Sequence, residues 1–349
     1  MRTALLFGLV AVAPLAAQPT GPCVTATAAC TGWVTPATGP GRSMVYRSYS
    51  LDAPNAGVQR ALIMVHGTGR NADHYFSTAM SAAFLAGALN DTVVIAPHMI
   101  DSTDPKQENE VVWATSWRTG GPGRDDPKLS SFDFVDAILK KLADKKTFPN
   151  MRAIVVAGHS AGGQYVNRYE MSNRVHDSLG VAVTYVVANP SSYAWPAPVR
   201  PLPQDDADPA KAKDGWSLSP DTAVHKNFTF GPFDAAKSAT YNRWPMGLEN
   251  KTGYVEALSD DQIKKQLVER PTTYLLGQVD TLPLGGFDSS PNAMAQGPTR
   301  RARGEAFFRY VTEQLGARHA VQIVPECGHN DRCVFTTDAV LPVIFPKSQ

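Results

Sequence analysis

Arg152-Ala-Ile-Val-Val-Ala157 runs directly into Gly158-His-Ser-Ala-Gly162, with Gly163 one residue further on. The first stretch is a short, continuous apolar run rich in β-branched residues, the pattern of a strand buried on both faces. The second is a G-x-S-x-G turn that opens a helix. A chain that passes from strand to helix in so few residues holds the central serine in a strained conformation. Small residues on both sides let neighbouring backbone pass without a clash. The Oγ of Ser160 then stands clear of the sheet, at a helix N-terminus whose dipole favours negative charge. Five matching residues also occur by chance in ordinary Gly-Ser turns. The strand before this match and the helix after it supply the context that its mechanics require.

Working outward, the same alternation recurs. Arg60-Ala-Leu-Ile-Met-Val65, ended by His66-Gly67, and Thr92-Val-Val-Ile-Ala-Pro97 read as buried strands. Ser77 to Leu89 has helical spacing. Ser131 to Lys145 predicts an amphipathic helix, with Phe134, Ile138 and Leu142 on one face and lysines opposite. Strands are expected at Val181 to Ala188, Thr272 to Gly277 and Ala320 to Val324, and a helix from Thr299 to Leu315. Such alternation predicts an α/β fold: a mostly parallel sheet with helices on both faces. Residues 18–43 read as an extended lead-in. Pro196 to Arg270 breaks the rhythm. Roughly 75 residues rich in Pro, Asp and aromatics are too many for an ordinary connection, so this segment is expected to be a cap or lid.

The 349 residues carry 33 Lys+Arg against 32 Asp+Glu, a net charge of +1, which supplies no field to attract nucleic acid or an anionic membrane. A hydrophobic share of 43% excludes global disorder. Arg2, the apolar run Ala4 to Ala13, Pro14 and the small Ala16 and Ala17 have the layout of a signal peptide, cleaved near Ala17 or Gln18. That run falls short of the ~20 residues that span a bilayer. The chain is therefore expected to be secreted or periplasmic, without a membrane anchor; its oligomeric state is not encoded in these patterns. In an oxidising compartment the four cysteines suggest disulfides. Of three connectivities, the two local ones, Cys23–Cys30 and Cys327–Cys333, are favoured. Zinc is the alternative, but no C-x-x-C spacing is present.

A serine hydroxyl needs a base. Of eight histidines, His329 sits in Cys327-Gly-His-Asn-Asp-Arg-Cys333 just after the last strand, where a loop can reach across the sheet edge. His159, within the turn, is directed elsewhere. His74, His98, His176, His225 and His319 have no matching context. The base in turn needs a carboxylate to fix its tautomer. Asp280 follows the strand ending at Gly277; Asp288, in a glycine-rich loop, is the rival. Two N–H donors for a developing oxyanion are expected from Ala161 and from His66-Gly-Thr-Gly69, with Thr68 favoured and Gly67 beside it. His66, Asp73 and His74 could suggest a metal, but nothing else in the sequence supports one.

These residues taken together, His66-Gly67, Gly158-His-Ser-Ala-Gly162, Asp280 and Gly328-His329, resemble the α/β-hydrolase superfamily from about Arg60 to the C-terminus. More narrowly they resemble its secreted esterase branch of feruloyl esterases, polyhydroxybutyrate depolymerases and polyester hydrolases. The order Ser160, Asp280, His329 is the order of that family. The resemblance implies a serine hydrolase that cleaves small or polymeric esters through an acyl-enzyme and needs no cofactor. The insertion departs from the small members of the branch. A peptidase or amidase with the same three residues is the second reading, and a silent binding module the third. Trp117, Tyr193 and Trp195 follow strands at the same edge. They are expected either to stack on a flat substrate or to anchor the cap.

Overall fold

A computed structural model describes residues 21–36, 40–113, 115–203, 224 and 228–347. The expected signal peptide lies outside them. The strands, in chain order, are β1 (Thr31–Val34), β2 (Ser43–Arg47), β3 (Arg60–Val65), β4 (Thr92–Pro97), β5 (Ala153–His159), β6 (Ala182–Ala188), β7 (Val199–Pro203), β8 (Phe228–Pro232), β9 (Thr272–Gly277) and β10 (Ala320–Val324). Eight of them form one sheet in the order β1-β2-β4-β3-β5-β6-β9-β10. From β4 to β10 every pairing is parallel, while β1 and β2 add antiparallel strands at one edge. β1 lies within residues 18–43, expected as an extended lead-in, and β2 begins at its end; short strands with Gly, Trp and Ser lack a continuous apolar run.

The sheet is covered on both faces, and the pleat divides its side chains between two cores. Ile63, Val65, Ile154 and Val156 enter one core, with Phe132, Phe134, Tyr165 and Phe307. Leu62, Met64, Val155 and Ala157 enter the other, with Phe76, Ala79, Phe335 and Ile344. Helix α1 (Ala72–Leu85) starts five residues before the expected Ser77. Ala72, Tyr75, Phe76, Ala79, Met80 and Ala83 are all buried at helical spacing, so its polar first turn belongs to the helix. Helix α2 (Ser131–Ala143) begins at a capping box. Ser130 Oγ accepts from the Phe132 amide, and the Ser130 amide donates to Asp133. Helix α3 (Ala161–Glu170) follows the serine turn, and α4 (Asp260–Glu269) precedes β9. Three short helices are α5 (Pro291–Met294), α7 (Asp331–Phe335) and α8 (Leu341–Ile344). Helix α6 (Arg300–Arg309) continues into one π-helical turn over Tyr310–Gln314, the region expected as a single helix.

Within Pro196 to Arg270, strands β7 and β8 pair antiparallel as a separate two-stranded sheet, and residues 204–223 and 225–227 of that segment lie outside the described residues. Tyr193 and Trp195, just before it, are fully buried. Tyr193 stacks on Phe307 at 4.6 Å, and Trp195 lies 4.9 Å from Tyr310 and 6.0 Å from Phe230. The insertion is thereby seated on α6. Trp117 is also buried, 4.8 Å from the His66 ring and 6.1 Å from Tyr165.

Candidate active site

Parallel strands deliver their following loops to one edge, and the loops after β3, β5, β6, β9 and β10 meet there. Ser160 has φ +58 and ψ −117, the strained conformation expected of the turn. The glycines around it permit close packing. A Cβ on Gly158 would lie 2.3 Å from Gly162 O, and one on Gly163 would lie 2.5 Å from Ala188 O. Although Ser160 is the N-cap of α3, its side chain makes no cap hydrogen bond. The Oγ instead lies 2.9 Å from His329 Nε2. His329 Nδ1 lies 2.8 Å from Asp280 Oδ2. A carboxylate can only accept, so Nδ1 carries the proton and donates to Asp280. Nε2 then presents its lone pair to the serine hydroxyl, which donates to it. Asp280 is 2% exposed and is also held by Arg300 Nη1 at 3.4 Å. Asp288 instead accepts from the Ser290 amide within its own loop.

Chain geometry sets each loop. Gly277 ends β9 where a Cβ would lie 2.5 Å from Cys327 O and 2.7 Å from Gly328 O, so the His329 loop can cross directly over it. Asn189, after β6, accepts from the Gly277 amide at 2.8 Å and reaches Gly328 O at 3.4 Å. Cys327 and Cys333 are bonded to each other, as are Cys23 and Cys30, matching the two local pairings. The former bridge closes a ring around His329. If that ring holds the imidazole in place, the Cys327→Ser/Cys333→Ser protein is expected to keep its melting temperature within a few degrees. Its turnover should fall by up to ~10²-fold, the cost of an ångström of misplacement. Unchanged turnover, with loss of the bridge verified by mass, would remove that role.

The loop after β3 is fixed by His66, which is fully buried. Its Nε2 accepts from the Met99 amide at 3.0 Å, so its Nδ1 carries the proton and donates to Gly67 O at 2.9 Å. Burial pushes its pKa down to about 3, so it is a neutral strut for the Gly67-Thr68 turn. His74 is 3.0 Å from Asp331 Oδ2, and Thr78 also donates to that carboxylate. Two of the three residues that suggested a metal, His66 and His74, are thus engaged separately. His159 lies beside the base, with ring centroids 4.6 Å apart, while its Nδ1 meets Tyr75 Oη at 3.0 Å. Burial, and secondarily the neighbouring His329, hold its pKa well below the usual value, so it stays uncharged.

A cleft of about 330 Å³ opens over these groups, lined by Gly67, Thr68, Gly69, Asn71, Tyr75, His159, Ser160, Gly285, Gly286, His329 and Asp331. Ser160, His329 and Thr68 reach it from the expected set, Asp280 lies buried behind His329, and Ala161 opens the helix immediately behind Ser160. Trp117, Tyr193 and Trp195 do not line it. Their rings are core anchors, which replaces the stacking role expected of them with the packing one. No described residue of the insertion lines it either. The wall opposite Thr68 comes from the loop after Asp280. A Cβ on Gly285 would lie 3.3 Å from His329 Cδ2, and one on Gly286 would lie 3.7 Å from Thr68 Oγ1. Sequence reading missed this wall, Tyr75, Asp331 and Arg300. The paired glycines were the only visible sign of it.

Residues 62–341 match the sequence pattern of the Alpha/beta hydrolase family. Among solved structures, the chain is similar to poly(aspartic acid) hydrolase-1 from Sphingomonas sp. KT-1. That likeness has 20% identity and a TM-score of 0.55, and covers 90% of this chain and 97% of that one. A poly(3-hydroxybutyrate) depolymerase from Bordetella parapertussis is similar at 19% identity and a TM-score of 0.56, over 88% of this chain and 89% of that one. No curated protein matches. At these identities the structures speak for the fold alone. The match to the family covers most of the chain, and with the sheet order and the serine turn it places this chain in the Alpha/beta hydrolase family.

Proposed function

We propose that this protein is an exported serine hydrolase that cleaves carboxylic esters through an acyl-enzyme on Ser160. The observation that carries the reading is the hydrogen-bonded line from Ser160 Oγ through His329 to the buried Asp280, with the imidazole tautomer set for proton abstraction. In the reading, Oγ attacks the ester carbonyl carbon while its proton passes to His329 Nε2. The oxyanion is received by the N–H groups of Ala161 and Thr68. Collapse breaks the carbon–alkoxy bond, and the departing alkoxide takes the proton from Nε2. Water then repeats the sequence and releases the acid, returning the proton to Ser160. Every proton and electron pair is accounted for by these residues and water.

Charge in the cleft narrows the substrate. Of the lining side chains, Asp331 is the only carboxylate, and no Lys or Arg is among them. The loop that bears Gly285 and Gly286 exposes Leu282 and Leu284, at 58% and 60%. A neutral, partly apolar ester suits such a site better than a polyanion. That argues against a substrate such as the poly(aspartic acid) for which one structural relative is named. The layout of Met1–Ala17 and the two disulfides support export. Among the described residues no helix is long and apolar enough to cross a membrane.

The test is a panel of p-nitrophenyl esters of increasing acyl length, an aromatic ester, a polyester film and peptide p-nitroanilides. Hydrolysis of neutral esters at least ~10²-fold above the anilides is expected. Anilide cleavage at equal or greater rate would replace this reading with the amidase one.

A further inference from the structure

We propose that Arg300 is a positioning residue that ties Asp280 to the outer wall of the cleft, and so governs both the alignment of Asp280 with His329 and the fit of the substrate. This rests on the reading of Ser160, His329 and Asp280 as the catalytic set. Arg300 is the first residue of α6, and its side chain is fully buried. Every arm of its guanidinium is used. Nε donates to Ser191 Oγ at 2.8 Å, and Nη1 to Asp280 Oδ1 at 3.4 Å. Nη2 donates to Leu284 O at 2.6 Å and to Gly285 O at 2.8 Å. Ser191 Oγ completes the set by donating to Gly286 O at 3.4 Å.

Three consecutive carbonyls, 284 to 286, are therefore drawn toward one buried fork. The residues they belong to form the wall that faces His329 and Thr68. Gly285 and Gly286 have φ of +53 and +68, a conformation suited to glycine, which lets the wall come this close to the imidazole. The loop is otherwise exposed, and one buried side chain with its hydroxyl neighbour supplies donors to all three carbonyls. Lysine has the same charge but cannot fork across a carboxylate, a hydroxyl and two carbonyls.

The inner half follows from the same contacts. Asp280 is held at Oδ1 by Arg300 Nη1 and at Oδ2 accepts from His329 Nδ1, so the guanidinium fixes the carboxylate that orients the imidazole. Without it the carboxylate is free to turn, and the imidazole loses alignment on Ser160 Oγ.

Separate kcat and KM values on a p-nitrophenyl butyrate substrate test this with Arg300→Gln, Arg300→Lys and Ser191→Ala, beside Ser160→Ala. Arg300→Gln is expected to lower kcat by ~10-fold or more and to raise KM several-fold, because the acid and the wall both lose their tie. Arg300→Lys should keep most of kcat but raise KM. Ser191→Ala should raise KM alone. An unchanged kcat in Arg300→Gln overturns the proposal. So does an unchanged KM in both Arg300→Lys and Ser191→Ala, which still decides the matter if the glutamine variant fails to fold. Turnover retained by Ser160→Ala would instead overturn the catalytic reading beneath it.

Discussion

Replacing Ser160 by alanine is expected to lower kcat for ester hydrolysis by about 10⁴-fold or more, with KM changed little. The direction follows from what Oγ does and does not touch. It makes no cap hydrogen bond to α3, so the helix keeps its start without it. Its one side-chain contact is His329 Nε2, so the loss falls on the reacting atoms rather than on the fold. Alanine keeps the Cβ and, like serine, carries the strain of φ +58. The variant should therefore unfold close to the wild-type temperature and no longer be labelled by a fluorophosphonate. The remaining rate belongs to the oxyanion donors and to binding. Adding His329→Ala to Ser160→Ala should cost little more, because the two act as a unit. A Ser160→Ala protein with more than a hundredth of wild-type turnover, at verified purity, would end the serine mechanism.

The features readable in the sequence were those whose physics is local. A strand that enters a helix through Gly158-His-Ser-Ala-Gly162 announces itself, because the backbone needs small residues at fixed offsets. Buried parallel strands announce themselves as continuous apolar runs, and β3, β4, β9 and β10 lie where those runs predict. Asp280 and His329 follow from the same logic, being the acid and histidine that come just after strand ends. What sequence could not supply was side-chain direction across long separations. Arg300-Arg-Ala-Arg303 has the composition of a solvated helix start, yet all three arginines are buried. Arg301 pairs with Glu305 one turn on, but Arg300 reaches Asp280, 20 residues back, and Arg303 reaches Ser191 O, 112 residues back. Trp117, Tyr193 and Trp195 stand in the opposite case. Their position after strand ends suits a cleft as well as a core, and only the packing partners Phe307, Tyr310 and Tyr165 decide for the core.

Gly162→Ala is expected to be among the most damaging small substitutions at the described residues. The added Cβ would lie 2.2 Å from Val65 O and 2.7 Å from His66 O. Both atoms are backbone at the end of β3, so no flexible side chain can yield. Either α3 must lift from the sheet or β3 must move. Overpacking of a rigid site costs about 1–3 kcal/mol and occasionally more, and this contact lies at the upper end. At roughly 2–4 °C per kcal/mol for a domain of this size, the melting temperature should fall by several degrees to about 10 °C. Gly180→Ala is the control. Its φ of +64 brings a cost of about 1 kcal/mol, but nothing lies within 4 Å of its Cβ, so the loss should be small. The two sites differ in function as well. Val65 and His66 lead directly into Gly67 and Thr68, so a shift that relieves the clash displaces the N–H of Thr68, the proposed oxyanion donor. Gly162→Ala protein that survives purification should therefore lose kcat beyond what its unfolded fraction explains, by ~10²-fold if one donor is lost. Equal melting temperatures for the two variants would mean that α3 does not need its close approach to β3. The backbone contact would then not be what holds Ser160 against the oxyanion loop.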